Sequence, residues 1–354
     1  MPPVIQSCMG VSNNGTRSEL DVRCASAERA RTLHALAIPL RPSDRATCVQ
    51  IASTSCRFSV DWHGLIVGPP LDADVTSPSD SLPPHRDLIG PDSSHDEAGD
   101  RQFSTNLARG LDVLRAFSAS EPVLTNRAIS DRTGLPKATV SRLTYTLSLY
   151  GYLIQEESGA FRLGTALLGL SHPVLTSMPI RQIARPFLQA LAAETGFTVN
   201  LAVCERVSAF HIDSVRVDLV NPYLPDVGTV SPLLHSTIGR ALILGHAGTD
   251  RERLLNRIKV RAPQSFDTGM QLLADDAKLF QTNGYCRARG PWLADIDAIA
   301  VPLPLPRRLQ PAAINCTVSI NAPHRARLEQ SANSLKATAQ ALADAYSRVA
   351  GQTR

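Results

Sequence analysis

The sequence predicts an α+β protein in which a small helical domain with a β-hairpin precedes a larger domain built on an antiparallel sheet. Three observations lead to this fold class. Apolar residues within 104–150 recur at intervals of three and four, as they do in helices. Two short runs at 152–155 and 160–163 flank a polar turn, which is typical of a hairpin. Beyond residue 179, alternating runs typical of strands lie between helical segments.

The N-terminal residues 1–103 differ in composition from the rest of the chain. They contain scattered Pro, Ser and Asp, including two proline pairs that break regular structure. Residues 1–100 carry 8 Lys+Arg against 13 Asp+Glu, a net charge of −5, so the remaining residues must carry +9 to give the total of +4. Few apolar positions recur with any period. We therefore predict a disordered N-terminal extension, or one that is not translated if the true start lies further along.

Two helices are predicted at the start of the remaining chain. Four apolar residues at helical spacing predict the first helix, with Ser104, Thr105 or Asn106 available as its cap. Pro122 interrupts the chain, and Thr125 then caps a short helix that ends near residue 132. The four apolar residues of the first helix are Leu107, Leu111, Leu114 and Phe117.

A longer third helix follows a tight turn at Gly134, where the missing side chain permits left-handed backbone angles. Pro136 suits the first helical position, because the N–H that it lacks has no partner there. A short helix, a glycine turn and a longer helix are the parts of a helix-turn-helix. The predicted buried stripe of the third helix consists of Val140, Leu143, Leu147 and Tyr150, and its polar face of Lys137, Thr139, Ser141, Arg142 and Tyr145.

The hairpin within 151–164 would form a wing, with Arg162 on its second strand able to touch a sugar-phosphate backbone. Residues 104–164 are therefore predicted to form a winged helix-turn-helix that binds double-stranded DNA. Two alternatives stay open: the polar helix face is merely solvated, or the domain is a helical unit without a DNA role. The residues predicted to contact DNA are Arg109, Thr125, Arg132, Lys137, Ala138, Thr139, Ser141, Arg142, Tyr145 and Arg162.

Residues 165–178 are predicted to form a linker helix that is kinked or broken at Pro173. Its leucines are of the kind that pair with a second copy, so dimerisation is expected to begin here. Residues 179–354 are predicted to form the second domain, which opens with an amphipathic helix that ends at Gly196.

Several strands are predicted in this second domain. Residues 197–203 alternate as a half-buried strand, 209–215 form a second strand, and 312–320 form another. A final helix is predicted to open at residues 321–323, and its apolar residues repeat every seven positions, at Leu328, Leu335, Leu342 and Val349. Antiparallel strands with helices at both ends indicate a six-stranded α+β sandwich.

The order and spacing of these parts resemble the IclR family of bacterial transcriptional regulators across residues 106–348. This resemblance implies a winged helix-turn-helix, a linker helix and a C-terminal GAF-like antiparallel sheet flanked by helices. It also implies dimers or tetramers and no catalysis. Two segments depart from the family pattern, namely the N-terminal extension and the proline-rich residues 303–311. The motifs that carry the resemblance are RGLDVLRAF (109–117), GLPKATVSRLTYTL (134–147), FRLG (161–164), PLLHSTIGRALIL (232–244), AIAVPL (298–303) and TVSINAPHR (317–325).

The resemblance places an effector pocket on one face of the sheet. His235, Ser236 and Thr237 would lie at a helix N-terminus, which favours a carboxylate. Ser319 and Asn321 would share a strand face across from it and donate hydrogen bonds. The charge of the effector is expected to be balanced by the helix dipole and not by a buried arginine. Other roles stay open for several residues: capping for Ser236 and Thr237, structure or solvent for Asn200 and Asp213, and either cavity wall or core for Trp292.

The expected function is sequence-specific regulation of a catabolic operon, through a near-palindromic DNA operator and a small organic acid effector. No nucleophile elbow, zinc-protease motif, P-loop or dinucleotide motif is present, so neither catalysis nor a cofactor is expected. The seven cysteines match no zinc spacing and are expected to be reduced thiols of a cytoplasmic protein. The sequence contains no run of 18 apolar residues, so no membrane span is predicted. The alternatives are a second domain that only oligomerises, and an enzyme.

Overall fold

The computed structural model describes residues 102–217, 224–289, 292–293 and 295–352, together with the backbone of five short strands in the first 67 residues. Contacts divide the chain into residues 1–76 and residues 77–354. In the first unit, β1 (Glu19–Val22) pairs with β2 (Leu33–Leu36). A three-stranded sheet has the order β3 (Val49–Ser53), β4 (Cys56–Val60) and β5 (Ile66–Val67). The predicted disorder of residues 1–103 otherwise lies outside the described residues and stays a prediction.

The winged helix-turn-helix is present as three helices and a small sheet. The helices are α1 (Thr105–Arg115), α2 (Asn126–Thr133) and α3 (Lys137–Leu149). The sheet has the order β6 (Val123–Leu124), β8 (Phe161–Leu163) and β7 (Leu153–Gln155). Thr125 caps α2 as predicted, because its Oγ1 accepts from Ala128 N at 3.2 Å. Gly134 ends α2 with a φ of 71°, which explains the glycine at the turn.

Two of the predicted apolar stripes are displaced from their predicted positions. Leu107, Leu111 and Tyr150 are exposed, whereas Val113 and Thr144 are buried. Thr144 escaped the sequence analysis because a polar residue does not register in an apolar pattern. Its hydroxyl is satisfied inside the helix by Val140 O at 3.0 Å, so its burial leaves no unpaired donor. The strand β6 was also missed, since Pro122 marks only a break in the chain.

The linker helix α4 (Ala166–Thr176) runs through Pro173. Of the two predicted outcomes, a break at this residue is wrong, and a kink stays a prediction. None of its residues is buried in the single chain. Leu168, Leu170 and Val174 are all more than half exposed. The helix therefore presents an apolar surface that the single chain leaves uncovered.

The second domain is a six-stranded antiparallel sheet with helices on both faces, as predicted. The strand order is β11 (Val230–Pro232), β10 (Ser208–Val215), β9 (Thr198–Glu205), β14 (Ala312–Ser319), β13 (Ile296–Pro302) and β12 (Cys286–Arg289). The helices are α5 (Pro179–Thr195), α6 (Thr237–Gly245), α7 (Gly248–Arg261), α8 (Pro263–Asn283) and α9 (Ala332–Gln352).

The two faces of this sheet are packed differently. One face is apolar along its length and packs against α5 and α9, with Leu188, Leu201 and Leu335 fully buried. The other face is apolar only where α6, α7 and α8 cover it, through small residues such as Ala202 and Ala313. Its other half carries buried polar side chains. This polar half positions the candidate site described below.

Two predictions for the second domain are corrected. β9 is buried on both faces along most of its length, not half-buried, because helices cover both sides of the sheet. The final helix begins at Ala332 and not at residues 321–323. Two short 3-10 turns, Arg325–Arg327 and Glu329–Ser331, fill the space before it. Leu328 lies in this turn region and is fully buried. It is therefore a core residue, as its place in the seven-residue repeat indicated, although it is not part of the helix.

Candidate functional site

The outer face of α3 is exposed and polar. Lys137, Ala138, Ser141, Arg142 and Tyr145 are all exposed, and Tyr145 keeps 66% of its surface. Thr139, also predicted to contact DNA, is half-buried. The face combines a methyl group, a hydroxyl, two cations and a phenol, which are groups that can reach phosphates and base edges in a major groove.

Asn126, at the start of α2, holds α3 at one rotation about its own axis through two side-chain hydrogen bonds. Its Nδ2 donates to Ser141 Oγ at 3.4 Å, and its Oδ1 accepts from Thr144 Oγ1 at 3.3 Å. One side-chain amide therefore bridges the exposed face and the buried face of α3. Sequence reasoning missed this residue, because a single Asn near a helix start is usually read as a cap or as solvated.

Charge on this domain is distributed unevenly among its seven basic residues in 104–164. Arg115, Arg127, Arg132 and Arg162 each pair with an acidic residue of the domain. Arg109, Lys137 and Arg142 are exposed and have no ion-pair partner in the part of the chain that the structure describes. The uncompensated positive charge therefore lies on α1 and on the outer face of α3.

Three other predicted DNA contacts already have partners within the domain. Arg132 donates to Ala116 O at 2.8 Å and pairs with Glu121, so it ties the end of α1 to α2. Arg162 pairs with Glu156 across the wing at 2.5 Å. The Thr125 hydroxyl accepts the capping bond and keeps only its hydrogen free for another partner. Contact of Arg132 or Arg162 with DNA would have to replace these bonds.

A first cavity of about 40 Å³ lies between the start of α6 and the polar half of the sheet. The predicted residues His235, Ser236 and Thr237 line it. Trp292 also lines it, so of the two roles considered for this residue the structure favours cavity wall over core. None of the described residues that line it is acidic. The others are His211, Pro225, Ile238, Leu293, Ile296, Ala298, Asn315 and Thr317.

Ser236 serves as the cap of α6. Its Oγ accepts from Gly239 N at 3.1 Å and donates to Pro232 O at 2.8 Å. A Cβ at Gly239 would lie 2.4 Å from Leu233 O, so only glycine allows this close approach of helix and loop. The N–H groups of Thr237 and Ile238 lie in the first helical turn, where no earlier carbonyl of the helix can accept them. Thr237 and Ile238 both line the cavity, so these backbone groups, and not the Ser236 hydroxyl, are the donors that the start of α6 can offer to a ligand there.

A buried arginine stands beside this helix start, and the expectation that no buried arginine balances the effector charge stays a prediction. Arg240 is fully buried, and its Nε donates to Asp276 Oδ2 at 2.6 Å, while its Nη1 donates to Leu234 O at 2.9 Å. Burial raises the pKa of Asp276, although the Arg240 guanidinium opposes the change. The arginine does not line the cavity, and Asp276 largely offsets its charge.

The two histidines of the first cavity are neutral at pH 7. Burial lowers the pKa of His211 to about 4, against a smaller opposing effect of Asp226. Burial and then the charge of Arg240 lower the pKa of His235. His211 Nε2 lies 3.0 Å from Ser231 Oγ, and its Nδ1 has no hydrogen-bond partner. Such an unpaired buried group destabilises the fold by about 1–3 kcal/mol.

Buried hydrogen bonds connect β9, β10 and β14 beneath the first cavity. Asn200 is fully buried, and its Nδ2 donates to Asn315 Oδ1 at 2.9 Å and to Thr317 Oγ1 at 3.3 Å. Ser214 Oγ donates to Asn200 Oδ1 at 2.8 Å, and Thr317 Oγ1 donates to Thr198 O at 3.3 Å. Sequence reasoning named Asn200 only as a polar position and missed Asn315 and Thr317. Strand alternation places these residues on one face, but it does not show that they meet.

A second cavity of about 400 Å³ lies at the end of β14. Ser319 and Asn321 line this cavity and not the first one, so the prediction that they face His235–Thr237 across one pocket is corrected. The chain turns after Ser319, whose Oγ accepts from Asn321 N at 3.3 Å. Thr317 lines both cavities. The remaining lining is mostly apolar and includes Phe197, which stacks on His324 with 5.3 Å between ring centroids.

Asp213 is structural, as the sequence analysis favoured. Its Oδ1 accepts from Arg185 Nη1 on α5, on the opposite side of the sheet from the first cavity. The change of side follows from the irregularity in the β9–β10 pairing between His211 and Asp213. Cys286 and Cys316 are buried, and burial raises the pKa of Cys316 to about 12, which is consistent with an inert thiol.

Neither a metal site nor a membrane span is found in the described residues. No group of three or more His, Cys, Asp or Glu side chains there is placed to hold a metal ion. Of the helices in the same residues, none has the length and apolar character needed to cross a membrane.

Both folded parts of the chain match known protein families. Residues 106–157 match the IclR helix-turn-helix domain, and residues 172–347 match the C-terminal domain of the bacterial transcriptional regulator IclR. The chain is 31% identical to the HTH-type transcriptional regulator TsaQ1/TsaQ2 of Comamonas testosteroni, over 55% of this chain and 71% of that protein. It is 30% identical to the Pca regulon regulatory protein of Pseudomonas putida, over 66% and 80%.

A third relative is the p-hydroxybenzoate hydroxylase transcriptional activator of Acinetobacter baylyi, which is 27% identical over 67% of this chain and 89% of that protein. An IclR family regulator from Brucella abortus has a similar crystal structure, with a TM-score of 0.59, 34% identity and coverage of 71% of this chain and 96% of that one. An IclR homologue from Microbacterium hydrocarbonoxydans, complexed with 4-hydroxybenzoate, shares the fold at a TM-score of 0.51 and 22% identity, over 69% and 100%.

These matches cover both domains in the order that the sequence predicted. They confirm the α+β architecture of a winged helix-turn-helix followed by an effector-binding domain. The relatives are transcriptional regulators and not enzymes. The chain belongs to the IclR family of transcriptional regulators.

Proposed function

We propose that this protein is a sequence-specific regulator of a catabolic operon whose DNA binding responds to a small organic acid. The observation that carries the proposal is the charge pattern of the winged helix-turn-helix. Of its seven cations, Arg109, Lys137 and Arg142 have no ion-pair partner among the described residues, and two of these lie on the outer face of α3. Uncompensated charge on a recognition helix favours a partner that carries phosphates.

The outer face of α3 would enter a major groove. Lys137 and Arg109 are suited to phosphate contacts, whereas Ser141, Arg142 and Tyr145 lie further along the exposed face and are suited to base edges. Asn126 supports this arrangement, because its bonds to Ser141 and Thr144 hold the face at one rotation.

A homodimer, or a tetramer built from dimers, is the proposed assembly. The linker helix α4 has no buried residue, and its Leu168, Leu170 and Val174 are exposed, as is Leu111 on α1. Apolar surface of this kind is typical of a self-association site. A two-fold dimer presents two recognition helices and would bind a near-palindromic operator.

The effector is proposed to be a small carboxylic acid with an apolar body. The carboxylate would occupy the first cavity, near the N–H groups of Thr237 and Ile238, and the body would pass Thr317 into the second cavity with Ser319 and Asn321. A cavity of about 40 Å³ has room for such a head group only, and the neighbouring 400 Å³ is enough for a ring. The printed names of two relatives point to the Pca regulon and to p-hydroxybenzoate hydroxylase, so aromatic acids are the first candidates.

An operator selection followed by titration tests the proposal. The full chain selects duplexes from a random DNA library, and fluorescence anisotropy then measures affinity for the selected duplex with and without aromatic acids. We expect an enriched near-palindromic sequence and a Kd that changes with acid. Recovery of random sequence only would refute sequence-specific binding.

The small size of the first cavity favours one alternative, a second domain that only oligomerises. Thermal melting separates the two. A true effector at a hundred times its Kd stabilises the protein by about 2.7 kcal/mol, whereas an oligomerisation domain shows no shift with any acid.

A further inference from the structure

We propose that Asn315 presents its side-chain N–H group to the ligand in the first cavity and thereby selects a head group that only accepts hydrogen bonds. This inference rests on the proposed effector site and names the residues that read the ligand there. Asn315 lies in the middle of β14 and lines the first cavity, although only 3% of its surface is exposed. It is therefore a buried amide whose accessible part faces the cavity.

The oxygen of this amide is already engaged. Asn315 Oδ1 accepts from Asn200 Nδ2 at 2.9 Å. Its Nδ2 has no hydrogen-bond partner among the described residues. This nitrogen is also not among the fully buried side-chain atoms that lack a partner, so part of its surface is accessible. The nitrogen, with its hydrogens, is thus the polar atom that Asn315 leaves free for a ligand.

The orientation of Asn315 is set by Asn200, which does not line the cavity. Ser214 Oγ donates to Asn200 Oδ1 at 2.8 Å, and the nitrogen of Asn200 faces β14. There it donates to both Asn315 and Thr317. A flipped Asn315 would place two N–H groups against each other, which is unfavourable in a buried site. Asn200 is therefore a positioning residue for the donor at 315.

The remaining lining agrees with an acceptor-only head group. Among the residues that the structure describes, no Asp or Glu lines the first cavity, and the start of α6 adds backbone N–H groups to its lining. A carboxylate brings only acceptors and pairs with all of these donors. A carboxamide of the same size replaces one of these acceptor oxygens by an NH2 group, which cannot pair with the N–H groups of Asn315 or of the α6 start, so it binds more weakly.

The test compares 4-hydroxybenzoate with 4-hydroxybenzamide on the full chain at pH 7.5, by calorimetry and thermal melting. In the wild type we expect the acid to bind at least about tenfold more tightly than the amide. In Asn315→Asp, one carboxylate oxygen still accepts from Asn200 while the other repels the acid. Affinity for the acid should fall by roughly 100-fold and the preference should invert.

Three further variants serve as a matched control, a substitute for Asn315→Asp and a test of the positioning residue. Asn256→Asp makes the same chemical change on the exposed side of α7 and should leave both affinities unchanged. Asn315→Leu removes the donor without adding charge, and serves if Asn315→Asp fails to fold. Asn200→Asp should turn the amide of Asn315 around and lower the acid-to-amide ratio from outside the cavity. A purely structural role for Asn200 would weaken both ligands equally.

The outcomes are distinguishable. If the wild type binds neither compound, the proposed aromatic-acid effector is wrong and this inference is lost with it. If the wild type binds the acid and both Asn315 variants keep the wild-type acid-to-amide ratio, only the inference is overturned. Inversion of the ratio in Asn315→Asp, with Asn256→Asp unchanged, supports it.

Discussion

The recognition face of α3 and the polar half of the effector sheet are both built from polar side chains, yet they differ in exposure, in charge and in how their hydrogen bonds are satisfied. The α3 face is exposed and carries Lys137 and Arg142 without ion-pair partners. The sheet face is buried, has no acidic residue at its cavity, and satisfies Asn200 and Thr317 through hydrogen bonds within the protein. One surface is suited to the phosphate charges of DNA, whose attraction salt screens, and the other to a small ligand in a buried site, where an unpaired polar group costs stability.

This contrast predicts where substitutions act. Changes on the α3 face should alter DNA affinity and leave stability intact, because exposed side chains contribute little to folding. Changes beneath the cavity should alter stability and ligand binding together, because each buried polar group there depends on its partner.

The largest effect is expected for Asp276→Ala, next to the cavity helix. The substitution leaves the fully buried Arg240 without its carboxylate, which should lower the free energy of unfolding by about 3–5 kcal/mol. Urea denaturation of both proteins measures the difference. Asp275→Ala removes the neighbouring carboxylate, which is exposed and pairs only with Lys278, and should change stability by less than about 0.5 kcal/mol. Equal stability of the two variants would contradict the buried pair.

A smaller effect is expected from pH through His211. Its pKa is lowered to about 4 in the folded protein, so the unfolded chain binds the proton more readily at pH values between about 4 and 6.5. Stability is complete above this range and is lost as the pH falls through it, by about 2 kcal/mol between pH 7.5 and pH 5. His211→Gln should flatten this part of the stability curve measured by urea unfolding. His172→Gln, on the exposed side of α4, should not.

Substitutions on the α3 face should act on DNA alone. Lys137→Ala and Arg142→Ala are each expected to weaken binding to a selected operator about tenfold. Lys137→Ala should also reduce the slope of log affinity against log salt by about one, because it loses a phosphate contact. Melting temperatures should stay unchanged. Arg253→Ala, an exposed arginine on α7, is the matched control. Unchanged affinity in both α3 variants would remove this helix from the DNA interface.

The two regions also differ in how far the sequence could predict them. The winged helix-turn-helix is local in the chain, so turn residues such as Gly134 and the cap Thr125 identified it. The effector cavity joins residues more than a hundred positions apart, such as Asn200 and Asn315, which no local pattern connects. Ser236 was placed correctly at a helix start, but its hydroxyl proved to be committed to capping.

The wrong predictions within the domains share one cause. The spacing of residues along the chain indicated one position, and the packing of the folded domain placed the residue elsewhere. Leu107 and Leu111 follow a helical repeat, but the domain core forms around Val113 and Phe117. Ser319 and Asn321 alternate correctly along the chain, but the turn after Ser319 carries them to the second cavity. Alternation gives the face of a strand, and it does not give the position of the next turn.

The smallest effect is expected from removal of residues 1–101. The segment is acidic and broken by prolines, so it offers DNA no attraction. A chain that begins at Gln102 should bind the selected operator with the Kd of the full chain in an anisotropy titration. A loss of folding or binding would show that the extension belongs to the structure.

The most direct test of the account is the dependence of operator affinity on acid in wild type and Asn315→Asp. Anisotropy titrations are run on one selected duplex, with and without 4-hydroxybenzoate at a concentration that stabilises the wild type. The account predicts that the acid shifts the operator Kd of the wild type, and that the shift disappears in Asn315→Asp while its acid-free Kd stays the same. An operator Kd that the stabilising acid leaves unchanged in the wild type would contradict a ligand-controlled regulator.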